Sequence, residues 1–114
     1  MTDENETASL RPLMGGCLCG AVRYSATPDH REGYYCHCRM CQKATGGPVG
    51  IFAVVPADRF RWTRGSPKGW QSSNRASREF CPACGTPLTY RESGAAFVDV
   101  VGAEHPARGG HLDR

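Results

Sequence analysis

At 114 residues and 12.4 kDa, the chain has room for one modest hydrophobic core and none for a second domain. No uninterrupted apolar run is long enough to span a bilayer, and the acidic, polar opening Met1-Thr2-Asp3-Glu4-Asn5-Glu6 lacks the character of a secretory leader, so no membrane partner and a cytoplasmic location are expected. The formal net charge is +3, but arginines are scattered from Arg59 to Arg78 without a recognised motif, and no nucleic-acid partner is expected.

Seven cysteines dominate what remains. In a reducing compartment they read as metal ligands, and an odd count leaves a closed disulfide framework one sulfur short. Ionised and holding two divalent ions, they would bring the chain near neutrality, which further weakens the case for an acidic partner.

Taken in order, residues 1–14 lack apolar periodicity and are expected to form a solvated, disordered acidic tail. The ordered domain, 15–102, is expected to open at Gly15-Gly16. From there Leu18, Val22 and Tyr24 fall on one parity and Cys17, Cys19 and Arg23 on the other, a strand pattern that aims Cys17 and Cys19 the same way. Thr27-Pro28-Asp29-His30 marks a loop. Tyr34 to Cys38 is extended by its aromatic content; Cys36 and Cys38 share a face, His37 points away, and a turn at Arg39-Met40 brings Cys41 back to them.

A helical turn or two through Gln42-Lys43-Ala44 is stopped by Gly46-Gly47-Pro48. Gly50 to Val55 is the most apolar run and reads as a buried central strand ended by Pro56. Phe60–Thr63, Gly69–Ser72, Leu88–Arg91 and Ala96–Val101 are shorter strand candidates. Cys81-Pro82-Ala83-Cys84-Gly85 has the form of a zinc knuckle, in which Gly85 permits a tight turn with backbone N–H groups aimed at the sulfurs. Residues 103–114 are expected to form an irregular tail. The fold class is therefore mainly β, a zinc-stabilised single domain with little helix.

Zinc is the expected cofactor at two ions per chain, because iron–sulfur runs repeat C-x-x-C more often than this chain does. The natural division of the sulfurs is four plus three. Cys17, Cys19, Cys81 and Cys84 would close one tetrahedral, structural site, leaving Cys36, Cys38 and Cys41 around an ion with an open position. The spacing also permits four sulfurs of the first half to share one ion, or a fourth ligand such as His37, His105 or water to close the second site.

Three ordered motifs carry a family resemblance: Gly16-Cys17-Leu18-Cys19-Gly20-Ala21-Val22, Cys36-His37-Cys38-Arg39-Met40-Cys41-Gln42-Lys43, and Phe80-Cys81-Pro82-Ala83-Cys84-Gly85-Thr86. Together with Val55-Pro56, Phe60-Arg61-Trp62, Gly65, Ser72-Ser73 and Arg78, the stretch from Gly15 to Val101 resembles the glutathione-dependent formaldehyde-activating enzyme family. The resemblance implies an Mss4-like, tent-shaped β fold with zinc, and the same four-plus-three division. It also implies formation of S-hydroxymethylglutathione from formaldehyde and glutathione, a carbon–sulfur lyase reaction in reverse. After Val101 the family continues through another β-forming segment, whereas this chain runs into a glycine-rich stretch.

On that reading Cys36, Cys38 and Cys41 are the catalytic set, and Arg39 and Lys43, close to it in sequence, are candidates to receive a carboxylate of a small thiol such as glutathione. Ser72 and Ser73 could add hydroxyl contacts, while Tyr35 and Trp62 read as core or rim aromatics. Two alternatives belong to other classes: a non-catalytic zinc module that binds protein or nucleic acid, and a zinc or redox sensor built on the three-cysteine site. Oligomeric state leaves no mark on the sequence.

Overall fold

A computed structural model describes residues 12–29 and 33–102. In chain order these form β1 (Leu13–Gly16), β2 (Arg23–Ala26), β3 (Gly33–Cys36), helix α1 (Arg39–Thr45), β4 (Gly50–Pro56), a 3-10 turn (Ala57–Arg59), β5 (Phe60–Arg64), β6 (Lys68–Gln71), β7 (Ala76–Phe80), β8 (Pro87–Glu92) and β9 (Phe97–Val101). The expected mainly β domain is what forms. The strands make two antiparallel sheets, a small one ordered β1-β2-β5 and a large one ordered β3-β4-β9-β8-β7-β6.

The core lies where the two sheets face each other. Val22, Tyr24 and Ala26 on the small-sheet side meet Val55, Leu88, Val98 and Val100 of the large sheet, with Cys17 and Cys81 buried at the same place. Tyr24, Phe60 and Trp62 close one edge, Phe60 stacking on Tyr24 at 5.4 Å and meeting Trp62 edge-on at 4.9 Å. Trp62 is thus the core aromatic expected, whereas Tyr35 is 69% exposed.

Period-two alternation gives the large sheet a second, wetter face. In β9, Val98 and Val100 enter the core while Phe97 and Asp99 turn to the opposite side. Tyr34 and Cys36 of β3, Phe52 and Val54 of β4, and Tyr90 and Glu92 of β8 join them there. This face carries the cleft described below.

Three local expectations are corrected by the structure. Cys17 and Cys19 lie in the loop joining β1 to β2, because Gly20 adopts φ +83° and reverses the chain, closed by Cys17 N–H to Val22 O at 3.0 Å and Gly20 N–H to Cys17 O at 3.2 Å. The first strand begins at Leu13, inside the span read as tail. β7 was not expected, since Ala76-Ser-Arg-Glu-Phe has little β propensity of its own; its pairing with β6 and β8 decides it. The remaining strand candidates, the helix and the break at Gly46 appear close to their expected places, and the Gly50–Val55 run lies inside the large sheet between β3 and β9. His30, His105 and most of both tails lie outside the described residues.

Candidate metal centres and the adjoining cleft

The first group of sulfurs is assembled by two tight turns from opposite ends of the fold. The β1–β2 loop brings Cys17 and Cys19, and the β7–β8 turn brings Cys81 and Cys84. In the second turn Cys81 N–H bonds Thr86 O at 3.0 Å and Gly85 N–H bonds Cys81 O at 2.8 Å, with Gly85 at φ +83° as the knuckle requires. The turns also aim backbone donors at sulfur: Val22 N–H at Cys17 Sγ (3.3 Å), and Ala83 and Cys84 N–H at Cys81 Sγ (3.3 and 3.4 Å). Thr86 joins the two halves, accepting from Leu18 N–H at 3.1 Å and lying 3.1 Å from Cys84 Sγ.

All four sulfurs lie within 4.8 Å of one another. Cys17 and Cys19 are separated by 3.6 Å, and Cys19 and Cys81 by 3.9 Å. A tetrahedral zinc with Zn–S bonds of about 2.3 Å has sulfur–sulfur edges of about 3.8 Å, so this donor set fits such an ion. The thiols are not equivalent: the Thr86 hydroxyl, with backbone N–H groups behind it, draws Cys84 down to about 5, whereas Cys19, despite the Ala21 N–H, is pushed up to about 11 by the neighbouring sulfurs of Cys17 and Cys84.

The second group is local. Strand β3 delivers Cys36, Cys38 is the N-cap of α1, and Cys41 sits in the first turn of that helix. Cys36 and Cys38 Sγ are 3.4 Å apart, and all three sulfurs lie within 4.8 Å of one another. Capping orients Cys38, whose sulfur accepts from Cys41 N–H at 3.4 Å; that bond, aided by the neighbouring thiols, lowers it to about 7. Burial pushes Cys41 up to about 11 along with its sulfur neighbours, while the Arg78 guanidinium, 3.7 Å away, pulls against them. One thiol held low beside another held high is the pattern of sulfurs that cannot all ionise without a cation between them. Among the described residues no histidine or carboxylate joins this trio, and His37 is exposed.

These three sulfurs line a cleft of about 500 Å³. Its floor is the wet face of the large sheet, with Phe52 stacked on Tyr34 at 5.0 Å and edge-on to Tyr90 at 6.4 Å. Its polar lining includes Ser72, Ser73, Arg75 and Arg78 from the β6–β7 side, and Asp99 from the interior strand β9. Arg78 also lies over the Tyr90 ring, 4.8 Å from its centroid. Tyr34 O–H donates to the Asp99 carboxylate.

The structure thus brings the seven cysteines together as one group of four and one of three, each close enough to share an ion. The expected carboxylate receivers fall elsewhere: Arg39 is exposed on the first turn of α1 outside this cleft, and Lys43 lines a neighbouring cavity of about 500 Å³ with Met40, Trp70 and Phe80. Ser72 and Ser73 do line the cleft. Sequence reasoning missed Tyr34, Arg75, Tyr90 and Asp99. The one available signal was Asp99 itself, a lone acid at the centre of an otherwise apolar Phe97–Val101 strand.

Residues 12–109 match the profile of the glutathione-dependent formaldehyde-activating enzyme family. The chain belongs to that family. An uncharacterized lyase of Schizosaccharomyces pombe is 30% identical over 76 residues, 67% of this chain and 55% of that protein, so the chain spans about half the length of this curated relative. A crystal structure of a Rhodobacter sphaeroides protein superposes with a TM-score of 0.66 at 26% identity, covering 77% of this chain and 83% of that one. No helix among the described residues is long and apolar enough to cross a membrane.

Proposed function

We propose that the chain is a zinc-dependent carbon–sulfur lyase of the S-hydroxymethylglutathione synthase type, joining glutathione or a related small thiol to formaldehyde or a related aldehyde. The carrying observation is that Cys36, Cys38 and Cys41 meet in the lining of an open cleft with no fourth protein ligand among the described residues. Cys17, Cys19, Cys81 and Cys84 would hold a structural ion, and Cys36, Cys38 and Cys41 a functional one. Zinc bound at the trio supplies the positive charge that stabilises a sulfur anion near neutral pH.

The protein's own groups supply binding and orientation. Arg75 and Arg78 give the cleft two cations suited to the carboxylates of a peptide thiol, and Ser72 and Ser73 add hydroxyls beside them. Phe52, Val54 and Phe97 add apolar surface to the cleft beside these polar groups. Lys43 and Arg39 would act only on parts of a substrate reaching beyond the cleft. Seven cysteines grouped as two candidate ligand sets suit a reducing, cytoplasmic setting.

The test is exchange spectroscopy by NMR on mixtures of formaldehyde, glutathione and their adduct. The zinc-loaded protein should accelerate exchange over the spontaneous reaction, and Cys38→Ser should return it to the spontaneous rate. A wild-type protein that carries two zinc ions and produces no acceleration would overturn the proposal.

A further inference from the structure

Asp99 is an unusual residue for its position. It lies at the centre of β9, opposite Val54 on one neighbouring strand and Tyr90 on the other, and between Val98 and Val100, both fully buried in the core behind it. A half-buried carboxylate on an interior strand costs stability unless it is partnered, and here the partner is the Tyr34 hydroxyl. Tyr34 is two residues from Cys36 on the same face of β3, so the carboxylate is tied to the strand that delivers a sulfur of the trio.

The proposed reaction needs such a group. Adding a thiol to an aldehyde forms a carbon–sulfur bond, moves the carbonyl π pair onto oxygen, and transfers one proton from sulfur to that oxygen. No oxidant or other co-reactant enters. Resting on the lyase reading above, we infer that Asp99 is the general acid–base of this cleft: its carboxylate takes the thiol proton and returns it to the oxygen of the new hydroxymethyl group, while Tyr34, bonded to one carboxylate oxygen, holds the other toward the reactants. In the reverse direction the same carboxylate removes the hydroxyl proton as the carbon–sulfur bond breaks. Tyr34 is a positioning residue.

The surroundings suit the task. Burial raises the Asp99 carboxyl above the ordinary carboxylate range, the Tyr34 hydrogen bond draws it partway back, and Glu92 raises it further. The other titratable or charged groups lining the cleft are Tyr90, Arg75 and Arg78, with Cys36, Cys38 and Cys41; β4 contributes only Phe52 and Val54. Glu92, the second acid, is exposed and faces the Tyr90 hydroxyl at 3.5 Å. A carboxyl moved toward neutrality is better matched to accept and return a proton than an ordinary one.

The test compares zinc-loaded wild type, Asp99→Asn and Tyr34→Phe by NMR exchange across pH, with zinc content and thermal melting measured in parallel. Asp99→Asn should lower the saturating rate by about 100-fold or more while leaving KM for glutathione within a few-fold, and should lose the acid-side inflection of the wild-type profile. The sign follows from the base role: the wild-type rate falls as pH drops through the raised Asp99 pKa. Tyr34→Phe should lower the rate about fivefold and shift that inflection. A wild type that accelerates exchange beside an Asp99→Asn protein with an unchanged rate and profile would overturn this assignment alone. If Asp99→Asn does not fold, an unchanged rate and inflection in Tyr34→Phe would overturn it equally. A wild type with no acceleration overturns both this assignment and the lyase reading.

Discussion

Gly65 shows how a single backbone position supports a candidate metal site it does not touch. It has φ +68°, and a Cβ built there would lie 2.1 Å from the carbonyl oxygen of Ala21 in the loop that carries Cys17 and Cys19. Both the left-handed conformation and the backbone clash exclude a side chain, so Gly65→Ala should cost about 2–4 kcal/mol. Gly69 in β6 is the control: its added Cβ meets only Glu79 Cγ at 4.0 Å, and Gly69→Ala should change stability by less than about 1 kcal/mol. Denaturant unfolding of the zinc-loaded proteins measures both, and equal effects would contradict the packing argument. Gly65 was visible in the sequence as part of the family pattern, but its reason was not. The atom that forbids a side chain belongs to a residue on another strand connection, and no local periodicity encodes that approach.

At the scale of the element, Cys38 has two roles that a pair of substitutions can separate. As N-cap of the seven-residue helix α1 its sulfur accepts from Cys41 N–H, while Gly46 closes the other end at φ +79° with its N–H on Gln42 O. As a proposed ligand it is one of three thiols. Serine can cap but is a poor zinc ligand; alanine can do neither. Cys38→Ser and Cys38→Ala should therefore lose the functional zinc alike, yet the serine variant should be more stable by about 1 kcal/mol in denaturant unfolding with metal content determined alongside. Legibility at this scale was uneven for physical reasons. The helix stop at Gly46 and the Gly50–Val55 strand follow from local chemistry and were readable. The Cys17–Cys19 segment was not, because a C-x-C pair presents both sulfurs to one side in a strand or in a turn, and only the hydrogen bonds around Gly20 distinguish them. Strand β7 was hidden because its stability is non-local: Glu79 is satisfied by Arg91 at 2.8 Å and by the Thr89 hydroxyl, both on β8.

For the molecule as a whole, the two sulfur sets occupy topologically unequal places, and that inequality predicts unequal consequences. The four-sulfur set joins the β1–β2 loop of the small sheet to the β7–β8 turn of the large one, with Cys19 and Cys81 in contact 62 residues apart in sequence. Its buried members, Cys17 and Cys81, belong to the core that the sheets share. Removing a ligand there would leave polar sulfurs packed against the core and cut the metal link between the two turns, leaving the shared core and the Leu18–Thr86 hydrogen bond to hold the sheets together, and binding energy at such a site is folding energy. The three-sulfur set lies within residues 36–41, at one strand–helix junction on the wet face, where loss of an ion releases no long-range connection. Cys36→Ser should then retain one zinc per chain and a cooperative thermal transition, whereas Cys81→Ser should retain none and unfold. Graded chelation of the wild type should follow the same order, the first ion leaving with activity and the second with structure. Simultaneous loss of both ions from Cys36→Ser, accompanied by unfolding, would show that the trio also holds the fold and would remove the distinction on which the proposed open site depends.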